Sequence, residues 1–193
     1  MTKSRLEAFS DGVLAIIITI MVLELAAPHD AEPAALRPLL PKLLSYMLSY
    51  LMLGIYWNNH HHLLQSVSRV DGRVLWANMS LLFWLSLVPF GTGWIGETSF
   101  APWPTAFYGV VLLMAALAYY ILTRALIALH GEDSALAAAV GRDAKGKASV
   151  LVYLTAIVLA FLHPALACAL YLLVAVIWLV PDRRIARTLA ERG

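Results

Sequence analysis

Six apolar stretches, each near the ~20 residues that cross the hydrocarbon core of a bilayer, recur along this chain with short polar joints between them. That pattern points to one fold class, an all-α membrane protein with six transmembrane helices. The stretches run from about Leu6 to Leu25, Leu39 to Leu64, Val74 to Ile95, Thr105 to Leu129, Ala148 to Leu162 and Ala165 to Val180. Pro28 stops the first, and Pro28-His29-Asp30-Ala31-Glu32-Pro33 reads as a loop. A Gly/Pro/Trp-rich connection from Gly91 to Pro104 follows the third, with Trp94 and Trp103 placed as interfacial anchors. The longest polar connection is His130 to Lys147, and His163-Pro164 makes a tight hairpin of the last two spans. Period-two alternation is absent, which argues against a β-barrel. The composition agrees: 61% of the 193 residues are hydrophobic and 13% charged, where a soluble domain is about half apolar and a quarter charged. Residues 1–193 read as a single six-helix transmembrane domain.

Charge sets the expected orientation. With the N-terminus in the cytoplasm, six spans return the C-terminus to the same side. Lys3, Arg5, Arg69, Arg73, Arg124, Arg142, Lys145, Lys147, Arg183, Arg184, Arg187 and Arg192 then lie inside, and only Arg37 and Lys42 lie outside. That bias follows the positive-inside rule. The outer segments carry Glu24, Asp30, Glu32 and Glu97, an acidic tint that suits cation traffic. A net charge of +2, scattered along the chain, does not point to a nucleic-acid partner. The lone Cys168 rules out an internal disulfide.

Chemistry concentrates in the first span. Arg5-Leu6-Glu7-Ala8-Phe9-Ser10-Asp11-Gly12 places charge and hydroxyl at the mouth of an apolar run, where ionisable groups persist mainly if they face protein or water. On a helical wheel centred on Ile16, Ile20 lies at about 40°, Leu23 at about −20° and Thr19 at about −60°. Ser10 and Asp11 fall on the far side, at about 120° and −140°, while Arg5 and Phe9 share the stripe's side. One face can then line an axis while the other binds its own bundle; lipid or core contact is the plain alternative for such a stripe. At 1.5 Å per residue, Trp57, His60, Asn78, Ser10 and Asp11 share one depth near the cytoplasmic end. They can form one hydrogen-bonded layer, or each can simply be solvated at the interface. Glu24 ends the helix at the outer side, about 80° from the stripe.

Other chemistries find little support. His60-His61-His62 project about 100° apart on a helix, so three in a row do not chelate one ion. No nucleotide loop, nucleophilic triad or paired-carboxylate site is present, so neither an enzyme nor a cofactor is expected. The Thr-Val-Gly-Tyr-Gly filter is missing as well.

Arg5-x-x-x-Phe9-Ser10-Asp11-Gly12 followed by Ile16-x-x-Thr19-Ile20-x-x-Leu23-Glu24 resembles the first helix of the bacterial and endolysosomal potassium channels of the transmembrane protein 175 family. Trp57-x-x-His60-His61, Asn78 and Pro89-Phe90 extend the likeness, and spans four to six match in character. The resemblance implies a homotetramer in the lipid bilayer, with the first helix of each subunit lining a pore for monovalent cations. Ile16, Ile20 and Leu23 would form hydrophobic constrictions, with the Thr19 hydroxyl near the selectivity level. Phe9, Ser10, Asp11 and Arg5 would tie that helix to Trp57, His60 and Asn78. Eukaryotic relatives carry two such repeats; this chain carries one, as bacterial members do, which implies a bacterial plasma membrane. The expected function is a passive, potassium-preferring channel. The alternative is a secondary transporter, proton-coupled through Asp11 and His60, although the internal repeats usual in transporters are not evident. A membrane-embedded metal-handling or scaffold protein using the histidine run is a third class.

Overall fold

The computed structural model describes residues 2–28, 31–141 and 143–179. Every regular element among them is helical: α1 (Lys3–Leu23), a 3₁₀ stretch (Pro33–Leu39), α2 (Leu40–Gln65), α3 (Gly72–Ser86), α4 (Val88–Glu97), α5 (Pro102–His130), α6 (Ala135–Val140), α7 (Ala144–Leu159) and α8 (Pro164–Leu179). His29, Asp30, Arg142, Val180 and the C-terminal arginines, on which part of the charge argument rests, lie outside the described residues.

Local chemistry sets the ends of these helices. The Thr2 hydroxyl accepts from the Arg5 N–H, and the Asp71 carboxylate accepts from the Val74 N–H at 2.9 Å; each satisfies a donor the helix itself leaves open. Arg69 donates to the Leu129 carbonyl near the C-terminus of α5, where the helix dipole favours a cation. Asp143, at φ 45°, caps α7 through the Gly146 N–H.

The third span departs from the expected single helix. It breaks at Leu87 into α3 and α4, because Pro89 offers no N–H for the helical ladder and its ring crowds the preceding turn. The Gly91–Pro104 connection is also mostly helix. Residues 91–97 complete α4, and the reversal is confined to Thr98–Ala101, with Ser99 and Phe100 at positive φ. The polar segment from His130 to Lys147 likewise contains α6, capped by Ser134, and the first turn of α7.

Four units are long and apolar enough to cross a bilayer: α1, residues 33–65, α3 with α4, and α5. α7 and α8 have 16 residues each, or about 24 Å at 1.5 Å per residue, against ~30 Å of hydrocarbon. They form a hairpin through Ala160–His163 and pack on α5. The centre of the bundle is α5, against α3, α4 and the hairpin, and α1 lies on another flank against α2, α3 and α4. Gly109 of α5 makes the hairpin contact possible: a Cβ there would overlap the Tyr171 hydroxyl, which donates to the Thr105 carbonyl at 3.0 Å.

Candidate functional site

α1 has two faces that differ in what covers them. Leu6, Ser10, Leu14, Ile17 and Met21 are buried against the bundle. Their three- and four-residue spacing collects them on one helix face, at about 80° to 160° on the wheel centred on Ile16. The opposite face is bare in the subunit. Phe9 is 45% exposed, Ile16 60%, Ile20 43% and Leu23 79%. Thr19 is exposed beside them. Its hydroxyl turns back to donate to the Ala15 carbonyl at 2.6 Å, which leaves both lone pairs of the exposed residue's oxygen available as acceptors.

A polar chain holds the buried face near its N-terminal end. Ser10 Oγ donates to the Leu6 carbonyl at 2.8 Å. Having given away its one proton, it accepts from Asn78 Nδ2 at 3.0 Å. Asn78 Oδ1 is then left to accept from His60 Nε2–H at 2.7 Å, which assigns the histidine tautomer. All three side chains are at most 2% exposed. The run therefore joins α1, α3 and α2 where no water competes for its donors and acceptors. Interhelical bonds of this kind each contribute about 0.6 kcal/mol in membrane bundles, and more is lost when one partner is stranded.

Asp11 stands outside this chain. Its carboxylate is exposed and accepts from Trp57 Nε1 at 3.0 Å, a second link between α1 and α2 on the rim of the subunit. The single layer of five residues expected from depth alone is therefore two separate groups, one sealed in the bundle and one at its edge. Trp57 in turn stacks on His61 with ring centres 6.0 Å apart. Arg5 and Phe9 are exposed and make no side-chain bond to either group among the described residues. Glu24 leans toward α4, with its carboxylate about a van der Waals contact from where a Gly93 Cβ would sit. The Lys42–Glu97 pair, at 3.5 Å, lies at the same end of the bundle. Among the described residues no set of three His, Cys, Asp or Glu side chains converges as metal ligands.

A second buried polar run was not anticipated from the sequence. Tyr108 Oη, Ser49 Oγ, Thr92 Oγ and the Val88 carbonyl follow one another in steps of 2.9, 2.6 and 2.7 Å, and Thr92 Oγ also reaches Met21 Sδ at 3.8 Å. It backs α1 at Met21, about 16 Å along the helix from Ser10. The only signal in the chain is a serine and a threonine inside apolar runs, and such residues usually bond to their own helix.

Residues 5–89, from α1 into the start of α4, match the model of the family described as endosomal/lysosomal potassium channel TMEM175. A potassium channel of Chryseobacterium sp. is 53% identical over 191 residues, covering 99% of this chain and all of that one. This chain belongs to the TMEM175 potassium channel family. The crystal structure of a lysosomal potassium-selective channel TMEM175 homolog from Chamaesiphon minutus superposes with a TM-score of 0.75 at 26% identity, covering 93% of this chain and 97% of that one. The endosomal/lysosomal proton channel TMEM175 of Danio rerio is 27% identical over 135 residues, a quarter of its own length. TMEM175 relatives of bacterial origin and four long apolar helices make this an integral, multi-pass membrane protein. The family is one of ion channels, not enzymes.

Proposed function

We propose that the protein is a potassium-preferring cation channel whose pore is the bare face of α1 repeated around a homotetramer axis. The single observation that carries this reading is the division of α1 into a clamped face and an exposed apolar one. One subunit has a single such helix, so an enclosed path requires several copies, and closed cyclic symmetry supplies them. The subunit spans the bilayer six times, with α7 and α8 as the last two spans and both termini in the cytoplasm, and residues 1–193 form one channel domain. Ile16, Ile20 and Leu23 stack three apolar rings about 6 Å and 4.5 Å apart. Potassium is the permeant ion because it loses its hydration shell at lower cost than sodium, and a narrow apolar neck can also close by dewetting. The outward oxygen of Thr19 offers one acceptor ring between the constrictions, a weaker device than stacked carbonyl rings. Modest selectivity follows. Ser10, Asp11, Trp57, His60 and Asn78 hold and orient the pore helix, and Glu24 adds negative charge at the outer mouth.

The test is Ile16→Asn recorded in bilayers under a potassium/sodium gradient. The amide keeps water in the neck, so conductance rises several-fold and the reversal potential moves toward zero. Ile17 is only 4% exposed and faces the bundle, so the matching control is Val22→Asn, on an exposed flank about 120° from the stripe. Unchanged conductance and selectivity in Ile16→Asn would overturn the pore assignment.

A further inference from the structure

A cavity of about 310 Å³, lined by no residue of α1, opens between α2, α5, α7 and α8. That is the size of a small ligand pocket, or of roughly ten waters. Its walls are largely aromatic: Tyr56, Tyr119 and Tyr153 contribute rings, and Trp178 closes one side. Tyr119 meets both Tyr56 and Trp178 edge-on, at 6.3 and 6.2 Å between ring centres, so the walls brace one another.

The polar groups around the cavity divide into satisfied and open ones. Tyr119 Oη donates to the Asn59 carbonyl at 3.2 Å, and Trp178 Nε1 donates to Ser149 Oγ at 2.8 Å. The hydroxyls of Tyr56 and Tyr153 make no hydrogen bond among the described residues. Neither oxygen is sealed in protein, and both residues line the cavity. Tyr153 is only 2% exposed, so its open hydroxyl faces this space and not bulk solvent. Buried hydroxyls without partners are costly, and two of them on one aromatic cavity form a matched pair of donors. The charged residues that line the cavity, Asp143 and Lys145, are of opposite sign, so they select no net ligand charge.

We infer that this cavity is a binding site for an uncharged, ring-bearing amphipathic molecule, whose hydrogen-bond acceptor sits at the hydroxyls of Tyr56 and Tyr153 and whose body lies among the aromatic rings. The site is independent of which helix lines the pore. Its ligand needs planar apolar surface to match the ring walls and one carbonyl or ether oxygen to satisfy the phenols.

Benzophenone is a direct probe, since it is a neutral two-ring ketone and bonds covalently to adjacent C–H groups under illumination. Purified full-length protein in lipid nanodiscs is titrated with it, illuminated, and its adducts located by peptide mass spectrometry. Saturable labelling on Met52, Tyr56, Tyr153 or Val174 is the expected result. Tyr56→Phe with Tyr153→Phe raises the half-saturating concentration about tenfold, as expected for two lost hydrogen bonds of about 0.7 kcal/mol each. Ala116→Trp, which fills the cavity from α5, abolishes the labelling. Labelling that never saturates, that spreads evenly over the lipid-facing helices, or that is unchanged by the paired phenylalanines overturns the assignment and leaves a solvent-filled gap. The wild-type adduct map decides the question even if a variant fails to fold.

Discussion

Asn78 is the residue on which the attachment of α1 most depends, because it alone presents a donor to Ser10 and an acceptor to His60 in a fully buried position. Leucine has the same branched arrangement of side-chain heavy atoms and neither function. Asn78→Leu therefore strands the His60 N–H, and stability falls by about 1–3 kcal/mol, read as a lower unfolding temperature of the solubilised protein. Ser10→Ala costs less, because Asn78 keeps its bond to His60 while only the hydroxyl and its acceptor site are lost. Asp11 behaves differently again. Its partner is an exposed indole at the rim, so Asp11→Ala changes subunit stability by under about 1 kcal/mol. An unfolding midpoint that drops as far as that of Asn78→Leu would show that the rim pair and the buried chain act as one unit.

At the scale of elements, the hairpin α7–α8 depends on close approach to α5 at Gly109. Any side chain there displaces Tyr171, whose hydroxyl also bonds to the Thr105 carbonyl. Gly109→Val should detach the hairpin locally and lower stability by about 1–3 kcal/mol. The half-buried Cys168 on α8 reports on this. Its reaction with a membrane-permeant maleimide should speed up at least several-fold in Gly109→Val, while Gly12→Val, with open space around its Cβ, leaves it unchanged. Equal rates in both variants would mean that the hairpin is held elsewhere. The break at Leu87 is a second element-scale feature. It lets α3 present Asn78 to α1 while α4 swings Thr92 behind Met21, so one interrupted span supplies the backing for both halves of the first helix.

For the whole molecule, the proposed arrangement of four subunits would turn local features into a conduction path. Glu24 leaves α1 on its bundle side and leans on α4, so in the proposed tetramer four copies would stand around the outer mouth and not in line with the Leu23 ring. Their effect on permeation is then through the field alone. Glu24→Gln should lower inward current at about 10 mM salt and leave it unchanged near 1 M, where the Debye length falls to about 3 Å. An unaltered low-salt current removes Glu24 from the mouth. The exposed Asp11–Trp57 pair lies about 140° round α1 from Ile16, on a rim where neighbouring subunits of the proposed tetramer would meet. Asp11→Ala should therefore shift the protein from tetramer toward smaller species on size-exclusion light scattering, with the melting of the subunit unaffected.

Much of this protein was legible in its sequence because bilayer thickness imposes length on apolar runs and helical geometry imposes angle on their residues. The wheel alone set Ile16, Ile20 and Leu23 opposite Ser10, and depth alone brought Ser10, His60 and Asn78 to one level. Both quantities are periodic in residue number and need no knowledge of neighbours. What the periodicity could not supply was lateral position. Whether Asp11 enters the bundle or stays at its rim depends on the rotation of α2 against α1, and Glu24's lean depends on the bare backbone at Gly93. The break at Leu87 needed only Pro89, yet its consequence, a polar run from Tyr108 through Ser49 to Thr92, needed three helices in place. The aromatic cavity follows from the same cause: Tyr56, Tyr119, Tyr153 and Trp178 come from four helices, and only their packing leaves space between them. Helix length and facing are local properties of a chain; the gaps, rims and polar chains between helices exist only once the helices have met.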